Sequence, residues 1–354
     1  MRFSIIIPSY NVEPYISDCI QGLQRQIYTD FQAIIVDDSS TDETVAVAQR
    51  LIKDDPRFQL IKQPRHNGPG SARNAGLNHA TGDFLLFLDS DDYYVPETLE
   101  LMNSYIEVHE LDMLFFAARS FYENRRLRRV RYEDQEARRD IDGIMTGPDM
   151  FVAMAKTRSF RPSACLWTIK RSLIEDAQLR FREDMIHEDL LFTLMAFPLG
   201  NRTEFINVPL YQRRLRENSI MTSTFDMNNV DGMFKAGQTM WNWLNEHVAD
   251  PRYQEDFLDA MAARILDNFE VAARYLWDID QRDMKAYRDA LMPKDRCDFD
   301  LHVLGLSRSL GDVKQEYLDS RTYRLGRMLL AGPSFIRSRI VMPKAKVDEN
   351  DAEL

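Results

Sequence analysis

The N-terminal third of the chain alternates short apolar runs with stretches whose apolar residues recur every three or four positions. Phe3 to Ile7 is the first run, with Pro8 as its expected stop. Ile16, Cys19, Ile20, Leu23 and Ile27 then follow helical spacing. Phe31 to Val36 is a second run. It is followed by a helical pattern through Val45, Ala48, Leu51 and Ile52 that Thr41 or Asp42 can cap. Phe58 to Ile61 is a third strand, and Phe84 to Leu88 a fourth, with a helix starting near Ser71 between them. Nearly continuous apolar strands suit a sheet covered on both faces. Strands alternating with helices predict an α/β fold with a mostly parallel, doubly wound sheet.

Further along the periods lengthen. Thr146-Gly147-Pro148-Asp149 reads as a helix start before Met150, Phe151, Met154 and Ala155, and a second helix begins near Glu188. Trp241, Leu244 and Val248, then Leu258, Met261, Ile265, Phe269 and Ala272, describe amphipathic helices packing on the first part. Asp250-Pro251 and Met292-Pro293 read as breaks.

Length and charge narrow the function. A chain of 354 residues with 44% hydrophobic positions can bury one large domain with an appendage, or two domains. A net charge of −11 argues against a general nucleic-acid binder. Cys19, Cys165 and Cys297 are odd in number and far apart, which fits reduced thiols in a cytoplasm. The N-terminus lacks the long apolar run of a signal peptide, and no stretch approaches the ~20 apolar residues of a spanning helix.

The chemistry gathers at the strand ends. Ser9-Tyr10-Asn11, Asp37-Asp38 and Asp89-Ser90-Asp91-Asp92 follow three strands that, if parallel, share one sheet edge. Asp89, Asp91 and Asp92 repel unless a cation or hydrogen-bond donors sit among them. Mg²⁺ or Mn²⁺ commonly bridges such carboxylates to phosphates. Tyr10 can stack on a base and Asp38 can accept from a base N–H. Gly68 and Gly70 let backbone approach a ligand, and Ser71-Ala72-Arg73-Asn74 opens a helix whose N-terminus favours phosphate. Each has a plainer reading alone: Asp38 as a turn former, Gly68-Pro69-Gly70 as a tight turn, Arg73 in a surface ion pair. Together they point to a nucleotide-diphosphate and metal site.

As they stand, Ile-Ile-Ile-Pro-Ser-Tyr-Asn (5–11), Val-Asp-Asp-Ser-Ser-Thr-Asp (36–42), Gly-Pro-Gly-Ser-Ala-Arg-Asn-Ala-Gly (68–76) and Phe-Leu-Asp-Ser-Asp-Asp (87–92) resemble glycosyltransferase family 2 on the GT-A fold. The resemblance covers about the first third of the chain. It implies a nucleotide-sugar donor, often a UDP-sugar. Pro8, Ser9, Tyr10 and Asp38 are expected around the nucleoside, with Arg73 and Asn74 close by. Asp89 is expected on the ribose side and Asp91 on the metal, with Asp92 contributing to either. The resemblance extends to His187-Glu188-Asp189: a Glu-Asp pair at a helix start implies Asp189 as general base, with Glu188 orienting or binding the acceptor. Inverting transfer to a saccharide or lipid-linked acceptor in surface-polysaccharide assembly follows from the resemblance alone.

Three further stretches carry expectations. Tyr211-Gln212-Arg213-Arg214-Leu215-Arg216 is read as a basic loop over the donor diphosphate, with Arg213 and Arg214 as the candidates. Arg125, Arg126, Arg128, Arg129, Arg131, Arg138 and Arg139, mixed with acids, read as an exposed segment. From 321 to 346 there are seven basic residues and no acidic one, interleaved with Leu325, Met328, Phe335 and Ile340. This segment is a candidate for an anionic membrane surface or for a terminal helix packed on the domain. The expected organisation is a catalytic domain over 1–222, its donor half 1–118 and acceptor half 119–222. A helical extension over 223–320 and a basic segment with its tail over 321–354 follow. The expected location is the cytoplasm, at the inner face of the membrane if 321–346 binds it. Two alternatives stand beside the transferase: a nucleotidyltransferase, and a nucleotide-sugar-binding scaffold without catalysis.

Overall fold

Eight strands form one sheet in the order β3-β2-β1-β4-β7-β6-β8-β5. They are β1 (Phe3–Ser9), β2 (Phe31–Asp37), β3 (Phe58–Lys62), β4 (Phe84–Phe87), β5 (Tyr93–Tyr94), β6 (Met113–Tyr122), β7 (Trp167–Lys170) and β8 (Thr203–Leu215). The computed structural model describes residues 1–123, 141–216 and 226–279, together with 283, 286, 287 and 289. The arginines between 125 and 139, Met292-Pro293, Cys297 and the basic 321–346 lie outside these residues.

The first half of the sheet follows the hydrophobic runs. β3, β2, β1 and β4 are all parallel, and helices α1 (Ile16–Gln24), α2 (Thr44–Ile52) and α3 (Pro69–His79) connect them. β1, β2 and β4 are buried along nearly their whole length, as strands covered on both faces must be. β1 does not stop at Pro8. It continues to Ser9, with Pro8 opposite Val36. The pairing of β1 with β4 ends at Ile6 and Phe87, so the N–H that proline lacks is not needed there. α3 likewise begins two residues before Ser71, with Pro69 in the first helical turn, where a missing N–H is harmless.

The second half is mixed. β7 runs antiparallel to β4 and β6, β6 and β8 are parallel, and β5 is antiparallel to β8. Tyr211 to Leu215, expected as a loop, is the end of the long strand β8. Its pairing with both β6 and the two-residue β5 satisfies the backbone groups that a loop would leave to water. Helices α4 (Thr98–His109), α5 (Gly147–Thr157), α6 (Arg171–Asp176) and α7 (Glu188–Ala196) pack around this half. Thr146 caps α5, accepting the Asp149 N–H at 3.2 Å.

A cluster of aromatic rings holds α7 against the sheet. Phe181 stacks on Phe192 with centroids 3.8 Å apart, and Phe87 meets both rings edge-on. Trp167 also stacks on Phe192. These packings fix where α7 begins relative to the end of β4. The helical pair α8 (Met227–His247) and α9 (Glu255–Asp278) follows, separated near Pro251 as the sequence indicates. The expected boundary at 222 falls in 217–225, outside the described residues. Among the described residues no helix is long and apolar enough to cross a membrane.

Candidate active site

The carboxyl ends of β1, β2 and β4 carry Ser9-Tyr10, Asp37-Asp38 and Asp89 to Asp92 at one sheet edge, and α3 begins beside them. Two arrangements occupy this edge.

The first surrounds Asp38. Its main-chain N–H donates to the Ser9 carbonyl at 2.8 Å, which joins the ends of β1 and β2. Its buried carboxylate accepts the N–H groups of Asn67 at 2.9 Å and Gly68 at 2.7 Å. His66 Nδ1 lies 2.8 Å from the same carboxylate. The His66 ring stacks on Tyr10 with centroids 4.0 Å apart, and Tyr10 is 42% exposed. Asp38 therefore shapes the loop that leads into α3, and that loop stacks on the tyrosine. Gly68 supports the turn with φ +88°, a conformation side-chain-bearing residues rarely adopt. Ser9 is buried with its hydroxyl 3.4 Å from the Val36 carbonyl, and Pro8 is half-buried behind it.

The second arrangement is ionic. Arg73, buried in α3, donates from Nη2 to Asp89 at 2.8 Å and from Nη1 to Glu188. Its guanidinium also lies over the Phe181 ring, 5.4 Å from the centroid. Burial works against the arginine's charge, but Asp89 and Glu188 outweigh it and hold its pKa above the ordinary value. Asn74, one residue on, pairs with the backbone of Phe181: its Nδ2 donates to that carbonyl and its Oδ1 accepts that N–H, each at 2.9 Å. Gly70 permits the approach, since a Cβ there would lie 2.4 Å from the Arg182 carbonyl. The helix start at Pro69 to Asn74 thus grips the segment that leads into α7.

Asp189 sits in the first turn of α7, half-buried, its Oδ1 accepting the Leu190 N–H at 2.8 Å. Its carboxyl is pushed up to about 7, first by burial and then by the charge of Glu188, with Arg73 pulling the other way. His187 precedes it in a left-handed conformation, and its Nε2 lies 3.1 Å from Asn229 Oδ1 of α8. Burial lowers the pKa of this imidazole. Lys235 of α8 donates to the Asp184 carbonyl at 3.0 Å, and Arg182 donates to Thr239 at 3.2 Å. The helical extension therefore holds the segment 182–187, which leads from α6 into α7, from outside.

Asp91 and Asp92 meet β8. Asp92 is buried; it accepts the Tyr211 hydroxyl at 2.5 Å and the Arg214 N–H at 2.6 Å. Burial, and then the charges of Asp91 and Asp89, push its carboxyl well above the usual range. Both of its oxygens thus serve to fasten the loop to the strand. Asp91 Oδ2 pairs with Arg216 Nε at 2.7 Å. Arg214 donates to the Asp91 carbonyl at 2.9 Å and to Asp18 at 2.6 Å, stacked against Phe121 and Tyr15. The regular alternation of β8 places Arg213 on the face opposite Arg214 and Arg216. Arg213 makes no ion pair among the described residues.

The structure thus brings Arg73, Asp89, Glu188 and Asp189 together, and Asp91 with Arg216 beside them. Pro8, Ser9, Tyr10 and Asp38 gather at the other end. Arg216, Tyr211 and Phe181 were not singled out from the sequence. Period-two alternation along β8 was the signal that pairs Arg216 with Arg214. Tyr211 opens the basic stretch 211–216, but nothing local marks it as the partner of Asp92, and nothing local marks Phe181.

Among the described residues no group of three or more His, Cys, Asp or Glu side chains could hold a metal alone. The donors at Asp91 are nonetheless hard oxygens, and the side chain is 19% exposed. A protein that offers one or two carboxylates and leaves the remaining positions to phosphate and water suits Mg²⁺ or Mn²⁺. The residues present fit such an ion.

The site thus sits on a parallel half-sheet with polar strand ends, continued by a mixed half that carries the Glu-Asp helix start. Residues 4–169 match the family model described as Glycosyl transferase family 2. Residues 4–169 thus form a glycosyltransferase family 2 domain. It is 34% identical over 221 residues to an uncharacterized glycosyltransferase, EpsJ of Bacillus subtilis, covering 61% of this chain and 62% of EpsJ. It is 28% identical over 236 residues to the poly(ribitol-phosphate) beta-N-acetylglucosaminyltransferase TarS of Staphylococcus aureus, 64% of this chain but 38% of TarS. The chain thus spans less than two thirds of either relative. The crystal structure of S. aureus TarS 1-349 in complex with UDP-GlcNAc superposes with a TM-score of 0.63, at 23% identity, over 86% of this chain and 80% of that one. That likeness shows the shared fold.

Proposed function

We propose that the protein is an inverting glycosyltransferase. It moves a sugar from a nucleotide-diphosphate donor, a UDP-sugar, to a saccharide or lipid-linked acceptor in cell-surface polysaccharide synthesis. The observation that carries this reading is Asp189: a carboxylate held near pKa 7 in the cluster of Arg73, Asp89 and Glu188, next to Asp91. A base matched to the working pH is what deprotonating a sugar hydroxyl needs. The UDP-GlcNAc bound in TarS supports a UDP-sugar donor.

In the proposed mechanism Tyr10 and the Asp38 loop receive the nucleoside. Asp89 meets the ribose side, and Arg73 fixes Asp89 and Glu188 with one guanidinium. The carboxylate of Asp189 takes the proton of the acceptor hydroxyl. That oxygen attacks the anomeric carbon from the face opposite the diphosphate, and the bond from the anomeric carbon to the leaving oxygen breaks. The electron pair leaves with the diphosphate. Glu188 orients the acceptor, and the aromatic cluster under α7 keeps the base in place. Asp91 is the residue that would hold Mn²⁺ or Mg²⁺, which when bound supplies positive charge to the departing diphosphate.

The test is Asp189→Asn, assayed by UDP release from a panel of UDP-sugars with saccharide and lipid-linked acceptors. Turnover should fall by about 10²- to 10⁴-fold while calorimetric UDP binding is unchanged. Turnover within a few-fold of wild type would remove Asp189 from the role of base.

A further inference from the structure

We infer that Arg216 is a built-in counter-ion for Asp91 that must leave that carboxylate before a divalent cation can use it, so that cation and nucleotide load together. This rests on the reading of the site as one for a nucleotide diphosphate and a metal.

The two arginines at the end of β8 are held in different ways. Arg214 bridges the Asp91 carbonyl and the Asp18 carboxylate and packs against two rings, so its contacts tie α1, β6 and the Asp91 loop together. Arg216 lies one residue beyond the strand and places its Nε on Asp91 Oδ2 at 2.7 Å. Its guanidinium rests on the Tyr15 ring, 4.9 Å from the centroid. Both side chains of the pair are 19% exposed. The pair is therefore open to a ligand arriving from solvent, unlike the buried pair of Arg73 and Glu188.

Electrostatics explains the pairing. Burial and the neighbouring Asp89 disfavour a charged Asp91, and Arg216 opposes both. A dication approaching the same oxygen meets a guanidinium already there, and like charges on one carboxylate repel. A donor diphosphate changes this balance. It offers Arg216 a bidentate anionic partner, for which a guanidinium fork is well shaped, and it adds oxygen ligands for the ion. Moving Arg216 from Asp91 to the phosphates frees the carboxylate at the moment the remaining ligands arrive. Binding of cation and nucleotide is then coupled, and the coupling is reciprocal. Arg216 is in this sense a positioning residue for the loading step.

The experiment titrates Mn²⁺ into the full chain with and without saturating UDP, followed by the solution EPR signal of free Mn²⁺ and by calorimetry. In wild type, UDP should tighten Mn²⁺ binding by about tenfold or more. In Arg216→Gln, Mn²⁺ alone should bind about tenfold tighter than in wild type, and the enhancement by UDP should shrink to about threefold or less. Arg216→Lys, which keeps a cation at Asp91, should lie near wild type and shows that charge is what competes. Asp91→Asn should lose the Mn²⁺ binding in both backgrounds. The inference is overturned if Arg216→Gln binds Mn²⁺ without nucleotide as wild type does, or if its enhancement by UDP is undiminished. Failure of wild type to bind UDP or any other nucleotide diphosphate would instead remove the donor reading, while the arms without nucleotide still decide the role of Arg216.

Discussion

The two ends of the site neutralise their carboxylates differently. At one end, Asp38 is satisfied by main-chain N–H groups of Asn67 and Gly68 and by His66, all within one short loop. At the other end, Asp89 and Glu188 share Arg73, while Asp91 meets Arg216. Those partners are between 16 and 125 residues apart. The first device needs one short turn brought against the end of β2, 29 and 30 residues earlier in the chain. The second joins α3 to the end of β4 within the parallel half through Arg73 and Asp89, while the pairs Arg73–Glu188 and Asp91–Arg216 exist only after the mixed half of the sheet has closed on the parallel half. A carboxylate held by backbone is a fixed part of the loop. A carboxylate held by a side-chain cation can exchange that cation for another.

The sharpest way to break this comparison is Arg73→Met. It leaves Glu188 without its buried counter-ion and Asp89 without a partner. Removing one side of a buried pair destabilises by roughly 3–5 kcal/mol, which urea unfolding should read. A loss near zero would mean that the ionic end is not held by Arg73.

Asp38→Asn tests the other end with a smaller expected effect. The amide can accept one of the two N–H groups but sets a donor against another. The loss should be about 1–3 kcal/mol, measured in the same way. A loss equal to that of Arg73→Met would erase the distinction between the two devices.

The smallest effect is a pH dependence at Asp189. Its folded pKa of about 7 lies above the usual Asp value, so the folded state holds a proton that the unfolded state releases. Stability from this group is present at low pH and falls as pH rises from the ordinary Asp range through about 7. Asp189→Asn should therefore be more stable than wild type above pH 7, by on the order of 1–2 kcal/mol given the part-exposed site, with the difference vanishing near pH 4. The same titration should appear in turnover as a rise with pH through about 7, since the base acts when deprotonated. A flat stability difference across this range would mean that Asp189 is not perturbed.

Much of the parallel half was legible because its signals are local. β2 and α2 appear where the apolar runs and helical periods place them, within a residue or two. The exceptions have local reasons too. β1 runs past Pro8 because β4 no longer pairs there, and α3 starts at Pro69 because a proline is harmless in a first turn. Of the site, the strand-end carboxylates, Arg73 and the Glu-Asp helix start could be named in advance. Their partners could not. Asn74 shows the limit: its place in the motif suggested the ligand, and its amide instead pairs with the backbone of Phe181.

The sequence by itself determined the parallel half-sheet, the edge at which its polar loops emerge, and the residue types gathered there. Burial on two faces forces long apolar runs, and chain direction forces the ends of parallel strands to one side. Only the tertiary structure decided that Arg73 bridges Asp89 to Glu188, that Asp92 is spent on Tyr211 and the backbone of β8, and that Arg216 rests on Asp91. Those choices depend on how distant segments pack. Charge pairing in a buried site is settled by which groups are brought within about 3 Å of each other, and no local periodicity encodes that.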